Sequence, residues 1–320
     1  MEEKNMSPVQ GNGNRKRSIF DQPRKAVSGM VFSGAVIGML LISLVYSITL
    51  AAVGVALDKT VEELERSEVY KYCTYLLYQL VYIGVICAFM KIYKTSPKGF
   101  GWRKTGPKYL LLALPLAFGL LFSLNWVNDL FVRLLSLLGY EAAASDLPSV
   151  AGGGFIGVLI VVALLPAILE ETLLRGVVLD GIKDIGIVAA CLLGGLIFSL
   201  FHQNPPQTVY QFICGAVFTL FAIRADSLIP AVIVHFLNNA IIVFDYKFDF
   251  LSKVSAGGAI ALYVVSAVCL VASLVYLIFF DKRTNRKKEG AIKPFIYPAL
   301  PGIILCALMW ILNFASGFGG

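Results

Sequence analysis

Residues 167–176 read AILEETLLRG, and they follow the aliphatic run VLIVVALLP at 158–166. A charged side chain at a bilayer centre costs roughly 3 kcal/mol on insertion scales. Here two carboxylates, Glu170 and Glu171, stand side by side in a segment otherwise made of hydrocarbon. If the segment crosses a membrane, both need partners or a polar cavity.

The rest of the chain says that it does cross. Of 320 residues, 58% are hydrophobic and 15% charged, whereas a soluble domain carries about 25% charged residues. Apolar runs near the ~20 residues a span requires fall near 28–57, 70–91, 109–127, 153–180, 186–203, 207–224, 228–245, 257–280 and 295–317. The expected fold class is all-α: a polytopic integral membrane protein of about eight or nine transmembrane helices. The third run continues through LNWVNDLFVRLLSLLGY, where Asp129 and Arg133 share a helical face at i,i+4. Residues 128–140 are therefore expected as a separate amphipathic helix at the membrane surface.

The net charge of +7 comes from clusters between apolar runs, which marks it as topology information. No basic folded face for a nucleic acid is visible; membrane lipid is the expected neighbour. Lysines and arginines gather in 91–108 and 281–293, and acidic residues in DKTVEELERSE and EAAASDLPS. With nine crossings the basic loops fall on the side of the basic N-terminus, which places that terminus in the cytoplasm, as in a bacterial plasma membrane. Residues 1–27, polar and lacking an early apolar core, are expected as a disordered cytoplasmic tail ahead of an uncleaved signal anchor. The six cysteines lie within or beside apolar segments without a CxxC pair, so most are expected buried and unpaired.

Three polar insertions interrupt the later helices. On a helix, Glu171 and Arg175 lie about 40° apart and can pair at i,i+4. Glu170 points about 100° away from Glu171, and its own i±4 neighbours are Pro166 and Leu174. An unpaired buried carboxylate has to be matched from elsewhere. The second insertion is FSLFH, 198–202, and the third is HFLNN, 235–239, where His235 and Asn239 share a face; these are the only two histidines in the chain. The turn at Asp184–Gly186 makes 153–180 and 186–203 an antiparallel hairpin. Glu170 and His202 each lie sixteen residues from it, roughly 24 Å along their helices at 1.5 Å per residue, and so are level. His235 follows Pro230 too closely for the same count, and needs tilted helices or a turn at ADSLIP that sits within the membrane.

In order, EETLLR, FSLFH and HFLNN fit the patterns EExxxR, FxxxH and HxxxN. These resemble the signatures of the CPBP family of intramembrane proteases, which includes the type II CAAX prenyl endopeptidases and bacteriocin-processing or immunity relatives. The similarity covers about residues 150–245. It implies a four-helix catalytic core there, between N-terminal helices and a surface helix at 28–149 and C-terminal helices at 246–320. It also implies that Glu170 and His202 activate a water against a peptide carbonyl of a membrane-associated peptide or protein, prenylated or not. His235 and Asn239 would donate to the oxyanion, worth ~3–4 kcal/mol for one good donor. Glu171, Arg175 and Phe198 would support them.

Family members are often termed metalloproteases, and Glu170, His202 and His235 with Asn239 have the donor types of a zinc site. The chain has no HExxH, so a required metal and no cofactor at all both stay open. Two other functions use the same residue types. Intramembrane Glu and His build proton relays in coupled transporters, although no inverted repeat is visible. A non-catalytic immunity or scaffold relative would keep the cavity without turnover.

Overall fold

The computed structural model describes residues 24–142, 147–281 and 290–318. The tail through residue 23, part of the EAAASDLPS loop (143–146), most of the second basic cluster (282–289) and residues 319–320 lie outside the described residues, together with the expectations placed on them. Residues 24–27, expected in the tail, already belong to the first helix.

Among the described residues the fold is made of ten helices: α1 (Arg24–Leu57), the short α2 (Val61–Glu65), α3 (Glu68–Tyr93), α4 (Pro107–Leu137), α5 (Gly154–Ile182), α6 (Ile187–Phe201), α7 (Thr208–Ala225), α8 (Ile229–Phe248), α9 (Ala256–Phe280) and α10 (Lys293–Ser316). Among the described residues eight are long and apolar enough to cross a membrane, and α6, with 15 residues, is a shorter apolar helix. The protein is an all-α polytopic integral membrane protein. Large apolar side chains such as Leu41, Val45, Ile48, Val268 and Val271 are exposed on the outside of the bundle, as a hydrocarbon solvent requires.

The expected break before residue 128 does not exist. Helix α4 runs unbroken from Pro107 to Leu137, because nothing between Gly119 and Leu137 is a helix breaker and the polar NWVND only changes which face is wet. The cysteines are all unpaired, but only Cys214 and Cys306 are buried, and Cys87 is exposed.

In lipid, helices gain little from burying apolar surface and associate through close packing and hydrogen bonds. Two joints show this. Helices α6 and α7 meet at Gly195 and Gly215; a Cβ built on Gly215 would lie 2.9 Å from the Gly195 Cα and 2.6 Å from the Phe198 Cβ. Helix α10 closes the bundle against α1. There Ser33 donates to the Pro298 carbonyl (2.6 Å) and accepts from the Gly302 N–H (3.1 Å). Residues 298 and 302 are the i,i+4 pair of an ordinary helix, so Ser33 is inserted into the backbone ladder of α10 where Pro298 and Pro301 weaken it.

Helix α5 carries π-helical turns at Leu159–Leu164 and Thr172–Val178, on either side of the glutamates. Such turns concentrate at functional sites. The N-terminal half of α5 packs on α8, and α6 packs on α7, so the hairpin expected between α5 and α6 opens out and leaves room between its arms.

Candidate active site

A cavity of about 930 Å³ lies between these arms, lined by Glu170, His202, His235 and Asn239 together with residues of α3, α4, α7 and α9. Glu170 projects from α5 into it with its Oε2 buried and without a hydrogen-bond partner. Glu171 turns the other way and is fully buried. Its Oε1 accepts from Arg175 Nη1 and from His235 Nδ1, each at 2.9 Å. Arg175, 4% exposed, donates a second bond to the Gly215 carbonyl (3.1 Å). Its guanidinium lies over the Phe198 ring, 4.3 Å from the centroid, and near Phe218 at 5.2 Å. The glycine joint of α6 and α7 thus exposes the carbonyl that completes the Arg175 shell.

Both imidazoles are fixed by partners that settle the tautomer. His202 ends α6, and its Nδ1 lies 2.8 Å from the Phe198 carbonyl. A carbonyl only accepts, so Nδ1 carries the hydrogen and Nε2 is left with its lone pair. His235 Nδ1 faces a carboxylate that also pairs with Arg175, which again puts the hydrogen on Nδ1. Phe198 packs edge-on against both rings, at 4.5 Å from His202 and 5.9 Å from His235, and Phe218 stacks on His235 at 5.6 Å.

Asn239 is positioned by a proline on another helix. Pro166 has no N–H to give to the Val162 carbonyl four residues before it, and Asn239 Nδ2 donates to that carbonyl at 3.2 Å. Next to it, Asn238 accepts from the Tyr210 hydroxyl (2.6 Å). Helix α6 stops at His202 because Gln203 adopts a left-handed φ of 51° and Asn204 is extended ahead of Pro205. The turn beyond is tied to α10 by Asn313 to the Gln203 carbonyl and Trp310 to Thr208, both 2.7 Å. Trp102 donates to Thr172, beside the glutamates, at 3.0 Å.

The height problem of His235 resolves at the turn before α8. Leu228 packs against Gly176, within 3.4 Å of a Cβ built there, and so lies more than a helical turn inward of Lys183. The Leu228 N–H donates to Gly101 O (2.9 Å) and Ser227 donates to Arg103 O (2.6 Å), which holds the turn at that depth. From this common level α8 climbs to His235 while α5 climbs to Glu171.

Three features escaped the sequence reading. The Glu171–His235 bond joins residues 64 apart and has no local signal. Asn125, read at the end of the third span, and Asn128, read as the start of a surface helix, line the cavity, as do Tyr75, Tyr78, Gln79 and Tyr82 of α3. The spacing of this last group, three and four residues apart, is a polar stripe in an apolar run and was there to be found.

As a metal site the arrangement does not fit. The donor types suit zinc, but among the described residues no three His, Cys, Asp or Glu side chains gather around one point.

Residues 152–241 match the family model described as Type II CAAX prenyl endopeptidase Rce1-like, so the resemblance to the CPBP intramembrane proteases holds over that segment. The match supports a protease. No curated protein and no solved structure matches the chain.

Proposed function

We propose, from that match and the cavity together, that the chain is an intramembrane endopeptidase in which Glu170 and His202 activate the attacking water. The observation that carries this reading is the unpartnered Glu170 Oε2 in a cavity shared with two imidazoles, each bound through Nδ1. A water donating to the Glu170 carboxylate and to His202 Nε2 has its oxygen turned towards a carbonyl carbon. As that oxygen attacks, its proton passes to Glu170 and the carbonyl electron pair moves onto oxygen. The oxyanion then accepts from the second N–H of Asn239, the first being held by Val162. It also accepts from His235 Nε2 when that ring is doubly protonated, a state whose charge the oxyanion itself offsets. Collapse breaks the C–N bond, and the leaving amine takes the proton from Glu170. No step is routed through a metal.

The substrate is a peptide bond in a membrane-associated chain. The experiment is a comparison of membrane proteomes from cells carrying the wild-type protein or Glu170→Gln, read as new peptide termini. Termini that depend on Glu170 support the reading. Proton-coupled uptake by liposomes of the purified protein, with no peptide cut, would replace it by a transporter.

A further inference from the structure

A carboxamide carries an acceptor oxygen and a donor nitrogen of nearly equal shape, exchanged by a half-turn about its last bond. Asn239 presents an N–H to an oxyanion only if that half-turn is blocked. At one end the Val162 carbonyl takes one N–H of Nδ2 at 3.2 Å. At the other end Asn238 Nδ2 donates to Asn239 Oδ1 at 3.4 Å. Asn238 has the same two orientations open to it, and Tyr210 of α7 selects one. The Tyr210 hydroxyl donates to Asn238 Oδ1 at 2.6 Å, which leaves Nδ2 as the atom turned to Asn239. Turned over, Asn238 would set oxygen against oxygen.

The bonds from Tyr210 through Asn238 and Asn239 to Val162 thus run in one direction, each donor pointing along the row. Bonds in such a row strengthen one another, and a satisfied network holds its members rigid. Tyr210, Asn238 and Asn239 all line the cavity that holds Glu170, and Asn238 is buried. Tyr210 also lies in the first turn of α7, just beyond the connection that follows His202. Its hydroxyl therefore ties the segment that leads away from His202 to the helix that carries Asn239.

We propose that Tyr210 and Asn238 are positioning residues that act through Asn239, holding its free N–H where the oxyanion forms. The proposal rests on the protease reading for that oxyanion, but the orientation itself is measurable without turnover. Full-length protein in nanodiscs is labelled with 15N-asparagine, and the side-chain amide signals of Asn238 and Asn239 are identified by their loss in Asn238→Leu and Asn239→Leu. Turnover is measured with a synthetic peptide spanning a Glu170-dependent terminus.

Tyr210→Phe is expected to shift the Asn239 amide signal as well as that of Asn238. It should lower kcat about three- to tenfold with KM unchanged, the effect of one hydrogen bond. In the Asn239→Leu background the same substitution should change kcat no further, since residues acting through one group are not additive. Tyr210→Phe combined with Asn238→Leu removes donor and acceptor together, so Tm should recover relative to Asn238→Leu alone while kcat stays low. A merely structural pair would recover both. An unmoved Asn239 signal, an unchanged kcat in Tyr210→Phe, a loss that multiplies with Asn239→Leu, or recovery of kcat in the combined variant overturns the proposal. If no terminus depends on Glu170, the protease reading falls, and the Asn239 signal alone decides whether Tyr210 orients this carboxamide.

Discussion

His235 Nδ1 lies 2.9 Å from Glu171 Oε1, across 64 residues of chain. The second glutamate of the pair is therefore more than a brace for its own helix: it sets the tautomer and angle of an imidazole on α8 while also neutralising Arg175. Removing it leaves a buried guanidinium unpaired. Glu171→Ala is expected to destabilise the protein by about 3–5 kcal/mol and to lower kcat by about 10–100-fold, the usual effect of losing a partner that orients a histidine. Equilibrium unfolding in mixed micelles and turnover of the folded fraction check the two parts separately.

Glu170 and His202 act on one water and should fail as a unit. Glu170→Gln and His202→Ala are each expected to abolish turnover, and the double variant to be little worse than either. Glu170→Gln should leave stability unchanged or slightly raised, since it removes an unpartnered carboxylate. Multiplying losses in the double variant would show independent roles.

Asn239→Leu removes an oxyanion donor and the donor to the Val162 carbonyl together. A kcat lower by about 10²–10³-fold is expected, with KM little changed and a stability loss of about 1–3 kcal/mol. Asn239→Asp, which cannot donate when ionised, should lose kcat as fully. A variant with the stability loss and undiminished kcat would remove Asn239 from the mechanism.

Dialysis against a strong chelator should leave activity intact, and the purified protein should hold far less than one zinc per chain by elemental analysis. Loss of activity restored by zinc, together with metal content abolished by Glu170→Ala or His202→Ala, would assign these residues as ligands instead.

Much of the molecule follows from its sequence for a simple physical reason. A bilayer demands long apolar helices, so the nine runs read from hydropathy reappear as α1 and α3–α10 within a few residues at most boundaries. The polar residues inside them are costly enough to stand out: Glu170, Glu171, Arg175, His202, His235 and Asn239 were all legible as exceptions, and the Glu171–Arg175 pair follows from helical spacing alone. The tertiary structure decided what periodicity cannot see. It set the depth of the 226–228 turn, which depends on hydrogen bonds to Gly101 and Arg103 and which brings His235 to Glu171. It placed Asn239 on a carbonyl freed by Pro166 of a different helix. It also turned Asn125 and Asn128 of α4 towards the cavity. Helical spacing tells which residues share a face; only packing tells what that face meets.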